Sequence, residues 1–284
     1  MGKYREVIYK LKDKEAESLI IEDLNMIDFS KFFIEEDAER SINLLKLYFN
    51  LKDEYEKEVL SRLAKYNLEL VADQILEEKN WLDEWIKSVK VFEFIDGVWI
   101  NPYLDKKVEK PGLVLNIVPG SAFGTGTHTT TKLAAKLLSE IGCEGKYVLD
   151  VGTGSGILAV YAKKMGARYV KAVDNDIFAV EKAQEAAKLN KVDIDIQKSD
   201  LLKDINTDIK YDILVSNIIA EVLIELIEDP KFHIILNNKA NIVFSGIIKE
   251  KEDIMLTEAK KYGLELKKRM EDVGWVALWF QKVI

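Results

Sequence analysis

The segment with the clearest chemical potential is residues 148–159, V-L-D-V-G-T-G-S-G-I-L-A, where an apolar run meets Gly152, Gly154 and Gly156 and continues into a second apolar stretch. Glycine lets a backbone turn sharply and approach a ligand closely, and a helix that follows offers amino-terminal N–H groups with no partner inside the helix. A strand, a glycine loop and a helix in that order suit a nucleotide. The spacing is G-x-G-x-G, with Ile157 where the dinucleotide fingerprint has its third glycine, which weakens a pyrophosphate reading. A lone glycine loop also serves as a purely structural turn. Asp174 tips the balance, because it closes the next predicted strand, where a carboxylate accepts hydrogen bonds from both ribose hydroxyls of an adenosine moiety.

Other chemistries lack material. The single cysteine, Cys143, makes neither an internal disulfide nor a cysteine-based metal site, and the only histidines, His128 and His233, stand far apart, so no metal is expected.

The elements that must position the loop lie in an alternation of strands and helices beginning at Pro111, the sequence form of a parallel sheet covered on both faces. Strands are predicted at 147–151, 169–173, 193–197, 211–216, 240–244, 264–269 and 275–281, with helices starting near Thr129, Ser155, Ile177, Ile218 and Ile248. The last two strands have a short connection and should form an antiparallel hairpin. Seven strands with that ending resemble the Rossmann-like methyltransferase fold and not a dinucleotide dehydrogenase.

Residues 1–72 form a separate α+β domain: a strand at 5–11, a helix at 15–24, a strand pair within 41–51, a charged amphipathic helix at 53–66 and a strand at 68–72. A ferredoxin-like sandwich fits this order. Residues 73–110 read as a linker, with Leu76, Trp81, Trp85 and Val89 near one face of a helix spanning 74–90, followed by a β-hairpin at 91–102 turning at Asp96 and Gly97. Residues 111–284 form the third segment.

The 284 residues are 48% hydrophobic and 32% charged, enough apolar material for buried cores. No apolar run approaches the ~20 residues of a membrane-spanning helix, and Lys, Asp and Glu interrupt the first thirty, so a soluble, cytoplasmic protein is expected. The net charge of −8 excludes affinity founded on nucleic-acid phosphates. Residues 1–80 carry 13 Lys and Arg against 19 Asp and Glu, and the rest 28 against 30, so the acidity concentrates at the amino terminus. Such a field either attracts a basic partner or is simply solvated surface.

With these motifs in place, the run P-G-S-A-F-G-T-G-T-H-T-T-T at 119–131, followed by the V-G-T-G-S-G loop, resembles the ribosomal protein L11 methyltransferase family, PrmA. The similarity extends through Trp81 and Trp85, V-W-I-N-P at 98–102, S-N-I-I at 216–219, F-S-G-I at 244–247 and W-V-A-L at 275–278, covering residue 75 onward. The resemblance implies S-adenosylmethionine as cofactor, with S-adenosylhomocysteine as product, held by Thr131, the Gly152 and Gly154 loop, Asp174 and Asn217. Asp200 is placed either to meet the adenine amino group or to cap a helix before Leu201. Phe123 either covers the cofactor or pins its loop. Asn217 and His128 are the candidates near the acceptor amine, His128 having a structural hydrogen-bonding role as its alternative.

The implied reaction is methyl transfer to lysine or amino-terminal amines of ribosomal protein L11, with the acidic first domain recognising that basic substrate. Thr129 stands where the family has proline, Ser216 and Ile219 flank Asn217 where alanine and leucine are usual, and Gly274 replaces an acid before Trp275. Two rivals remain: a methyltransferase of the same fold acting on another protein lysine or a nucleic-acid base, although the N-P-P-Y form of base-directed enzymes is absent here, and a catalytically silent cofactor-binding protein that docks on the ribosome.

Overall fold

The computed structural model describes residues 3–11, 14–25, 27, 29, 31–37, 42–50, 55–77, 90–103, 108–117 and 126–283. The chain divides into two compact units, Met1–Trp85 and Ile86–Ile284.

The first unit contains β1 (Lys3–Leu11), α1 (Lys14–Asn25), β2 (Phe32–Asp37), β3 (Ile42–Asn50), α2 (Glu56–Leu63) and β4 (Glu69–Glu77). Its antiparallel sheet has the order β2-β3-β1-β4, the arrangement of a ferredoxin-like sandwich. The period-two alternation of strands decides the faces. Val7, Leu11, Leu45, Leu47 and Phe49 turn to one side and pack with Ile20 and Leu24 of α1 and with Val59 and Leu63 of α2. On the other side Glu6 is buried, and its carboxylate accepts hydrogen bonds from the Tyr48 hydroxyl at 2.8 Å and the Gln74 amide at 2.7 Å.

Two expectations need correction here. The segment read as a strand pair is the single strand β3, whose antiparallel partners β1 and β2 both lie further upstream. The predicted linker helix does not begin at residue 74, because Gln74, Ile75 and Leu76 belong to β4 and pair with Glu6, Arg5 and Tyr4. Leu76 fits a helical stripe and a strand alternation equally well, and the ladder to β1 decides between them. Trp81, Trp85 and Val89 lie outside the described residues.

The second unit opens with the expected hairpin, β5 (Phe92–Ile95) and β6 (Val98–Asn101), turning at Gly97 with φ +73°. A strand absent from the sequence expectation, β7 (Leu113–Asn116), pairs in parallel with β6. Its four residues are too few to display a period.

The main elements are α3 (Thr129–Ile141), β8 (Tyr147–Val151), α4 (Ile157–Lys164), β9 (Tyr169–Asp174), α5 (Ile177–Asn190), β10 (Asp195–Lys198), β11 (Tyr211–Asn217), α6 (Ala220–Glu228), α7 (Lys231–Ile234), β12 (Leu236–Ile248), α8 (Glu252–Lys261), β13 (Leu264–Asp272) and β14 (Trp275–Lys282). They form a seven-stranded sheet of order β10-β9-β8-β11-β12-β14-β13, parallel except that β14 runs against both β12 and β13. Continuous apolar runs in β8 and β11 reflect cover on both faces. α3 and α4 pack with the small sheet over one face, while α6, α7 and α8 cover the other. The outermost strand, β13, has the sequence L-E-L-K-K-R-M-E-D.

Phe244 of β12 is fully buried, its ring centroid 6.0 Å from that of Phe280. Phe244→Ala should therefore cost about 3–5 kcal/mol. The expected readout is a lowered urea midpoint for unfolding of the second unit; an unchanged midpoint would show that this core does not govern its stability.

Candidate functional site

The sheet's winding reverses between β8 and β11. From β8 the chain steps outward through β9 to β10, and from β11 it steps the other way to β12. In open α/β sheets such a reversal leaves a crevice beyond the carboxyl ends of the strands, which is where ligands bind. The glycine loop, Asp174 and Asn217 all lie at this end.

The loop's shape follows from its glycines. Gly152, Gly154 and Gly156 have φ of +74°, +54° and +80°, a region costly for residues with a Cβ. Space requires glycine as well: a Cβ on Gly152 would stand 2.6 Å from Cγ2 of Ile218, and one on Gly156 would stand 2.9 Å from Cα of Ala183. The N–H groups of Gly152 and Thr153 both donate to the Val173 carbonyl, at 2.9 and 3.0 Å, tying the loop to β9.

Asp174 completes that tie. One carboxylate oxygen accepts from the Gly154 N–H at 2.9 Å and the other from the Asp176 N–H at 3.0 Å. Each oxygen keeps a lone pair for a ligand, and the residue is partly exposed. Beyond it the exposed side chains of Ile177 and Phe178, the latter 68% accessible, stand at the start of α5, an apolar feature that the sequence pattern did not single out.

Thr131 and Asn217, 86 residues apart, meet in the interior, the Asn217 amide donating to the Thr131 hydroxyl at 3.2 Å. α3 is held there by Ser245, whose hydroxyl donates to the Thr130 carbonyl at 2.8 Å. His128 caps α3: its Nδ1 accepts from the Thr130 N–H at 3.3 Å and lies 2.7 Å from the Thr130 hydroxyl. Its ring also meets the edge of Trp275 at 5.1 Å. Burial lowers the His128 pKa, favouring the neutral imidazole that the cap requires as an acceptor.

Asp200 is exposed just after β10. The cap alternative fails, because residues 201–204 form a turn and no helix. Leu201 has φ +47°, and the Ser199 hydroxyl closes the turn by donating to the Leu201 carbonyl and accepting from the Asp204 N–H. Phe123 lies outside the described residues. Among the described residues no group of three side chains is arranged to hold a metal ion, and no helix is long and apolar enough to cross a membrane.

Asp150 is a further candidate that the sequence motifs do not single out, although an acid inside an apolar central strand is a visible signal. It is 1% exposed, with one oxygen accepting from the Thr153 hydroxyl at 2.7 Å. Its other oxygen and the Asn217 side-chain oxygen are the two buried side-chain atoms without a hydrogen-bond partner among the described residues. Asp150 pairs with Val215 across β8 and β11, so both unpaired atoms sit on neighbouring central strands at the same end.

Burial pushes the Asp150 carboxyl up to about 7, with the Thr153 hydroxyl opposing the rise, the charge of Asp174 adding to it and the backbone N–H of Ala159, near the carboxylate but outside good hydrogen-bond geometry, opposing it weakly. An unfolded aspartate titrates near its ordinary 3.8, so the folded chain holds the extra proton between these limits. The stability due to this group is thus full below pH 4 and lost as pH rises through 7. Asp150→Asn should remove that dependence, so that its Tm relative to the parent increases from pH 5 to pH 8. Parallel Tm profiles would show that Asp150 is ionised throughout.

The family model described as "Ribosomal protein L11 methyltransferase (PrmA)" matches residues 3–283. A ribosomal protein L11 methyltransferase of Thermotoga petrophila is 37% identical over 276 residues, 97% of this chain and 98% of the relative. One from Thermosipho melanesiensis is 53% identical over 178 residues, 62% of this chain and 66% of the relative. The crystal structure of a ribosomal protein L11 methylase from Lactobacillus delbrueckii subsp. bulgaricus superposes with a TM-score of 0.62 at 33% identity, covering 69% of this chain and all of the other.

Proposed function

We propose that this chain, which belongs to the ribosomal protein L11 methyltransferase family, transfers methyl groups from S-adenosylmethionine to lysine or amino-terminal amines of ribosomal protein L11 in the cytoplasm. The observation that carries the reading is the pair of buried oxygens on Asp150 and Asn217, at the carboxyl ends of β8 and β11, that have no hydrogen-bond partner among the described residues. An unsatisfied buried polar atom costs roughly 1–3 kcal/mol, which a bound partner with N–H donors and positive charge relieves. These acceptors fit the cationic, N–H-bearing end of a sulfonium nucleoside, and a loop of glycines at positive φ presents bare backbone to it.

S-adenosylmethionine supplies an electrophilic methyl carbon, which an amine attacks in line as the sulfur departs with the bonding pair. The chain's own residues bind, orient and desolvate. Asp174 is assigned the ribose hydroxyls, and the backbone of Gly152 and Gly154 is assigned close approach to the donor. Phe178 and Ile177 offer apolar cover, and Asp200 a carboxylate, for the adenine. Thr131 holds Asn217 so that its unpaired oxygen can accept an N–H of the incoming amine. That amine must be neutral to attack, and desolvation beside a cation lowers its pKa in the required direction. Alignment of donor and acceptor can contribute roughly 7–11 kcal/mol, so neither an enzyme-bound intermediate nor a metal is required. His128 is assigned to positioning, through the cap that fixes α3. The acidic first unit is assigned attraction of the basic protein substrate.

Incubation with methyl-labelled S-adenosylmethionine and separately supplied ribosomal protein L11 and ribosomal RNA should label the protein alone, on amines identified by mass spectrometry. Label in the RNA, or none in either, would overturn the proposal. Asp174→Ala should weaken S-adenosylmethionine binding in calorimetry by roughly 1.5–3 kcal/mol, since it removes hydrogen bonds to a charged acceptor. Unchanged affinity in the folded variant would remove Asp174 from the site.

A further inference from the structure

The turn joining β13 to β14 conflicts with its own backbone. Asp272 pairs with Trp275, leaving Val273 and Gly274 as a two-residue loop with φ of +48° and +76°. Two positive φ values in such a hairpin favour Asn-Gly or Asp-Gly, and a β-branched residue there is strained. Val273 is also 67% exposed, so burial gives nothing back to the fold. Strain kept at an exposed apolar side chain calls for a role outside folding.

Val273 does not stand alone. Ile219, the residue before α6, is 59% exposed, and Ile254, in the first turn of α8, is 47% exposed. The three segments are fastened together. Lys251 bridges to Glu221 at 3.0 Å, the Lys249 N–H donates to the Gly274 carbonyl at 3.0 Å, and the Lys249 amine meets Glu271 at 2.7 Å. All lie at the end of the sheet where Asn217 sits. β11, β12 and β14 are consecutive neighbours, and the start of β14 pairs with Ile248, beyond the Ser245 that lies level with Asn217, so at about 4.8 Å between strands and about 3.3 Å per residue it is roughly 14 Å from Asn217.

Charge selects the partner. Lys249, Lys251 and Arg269 are each paired with a glutamate, whereas the exposed Glu250, Asp253 and Asp272 form no ion pair among the described residues. Apolar side chains among unneutralised carboxylates repel nucleic-acid phosphates and suit a basic protein segment.

We propose that Ile219, Ile254 and Val273, with Glu250, Asp253 and Asp272, form the lip on which the basic polypeptide around the acceptor amine lies during transfer. This rests on the function proposed above and adds a second substrate contact to the one assigned to the first unit. Val273→Asn separates the lip from the fold, because asparagine suits the turn better than valine does. Val273→Asn should leave Tm unchanged or higher and S-adenosylmethionine affinity within about twofold, yet raise KM for ribosomal protein L11 about fivefold. The double variant Asp253→Lys, Asp272→Lys should raise the same KM about tenfold and flatten its dependence on salt. An unchanged KM in both variants, or a rise matched by an equal loss of S-adenosylmethionine affinity, would overturn the lip. If the parent protein itself transfers no methyl group to ribosomal protein L11, the functional reading falls first and the named partner with it.

Discussion

The shared acceptor on Val173 is the contact from which the site is built. Two successive N–H groups, those of Gly152 and Thr153, converge on that carbonyl, which forces the chain leaving β8 to double back across the end of β9. Only then does the Gly154 N–H reach Asp174, and only then does α4 start beside the crevice. Positive φ at Gly152, Gly154 and Gly156 is the backbone condition for this path, and the sheet edges on either side supply the fixed points. A carboxylate anchored by two N–H groups cannot swing with its side-chain rotamers, so what it offers a ligand is directional.

The same rigidity explains why polar atoms are tolerated in the driest part of the molecule. Asp150 and Asn217 lie beside the buried apolar residues Leu149, Val151, Leu214 and Val215, and Thr153 and Thr131 each satisfy one atom of the pair and leave one unsatisfied among the described residues. Apolar replacements would be easier on stability at such positions. Retaining polar groups there gives the proposed site acceptors that the surrounding strands already hold in place, the arrangement that preorganisation requires.

Legibility in the sequence followed the number of residues each feature engages. The central strands of the main sheet are visible because burial on both faces writes apolar runs such as I-L-V at 213–215, the outer strands are placed by the alternation with helices, and the antiparallel ending follows from a connection too short for a crossover. β7 was invisible at four residues, and the pairing of β2 with β3 depended on a partner that no local pattern could name. The same division holds for the site. Gly152, Asp174 and Asn217 each end a strand and could be placed by counting strands. The meeting of Thr131 with Asn217, and the isolation of Asp150, arise from packing between segments that are distant in sequence. Asp200 shows the opposite failure: its local sequence suits a helix cap, but a left-handed Leu201 and the Ser199 hydroxyl make a closed turn.

One feature of the sheet bears on how the molecule comes into being. β14 follows β12 and β13 in the chain but lies between them in space, contributing both of its ladders at once. Until residues 275–282 have emerged from a translating ribosome, β12 has an open edge and β13 has nothing to pair with. A nascent chain at that stage carries an unpaired strand edge beside a half-covered apolar face, the combination that recruits other chains. The charges of β13, three basic residues between acidic ones, are then in place before the strand that will shelter them from one side, and they keep the waiting edge in water.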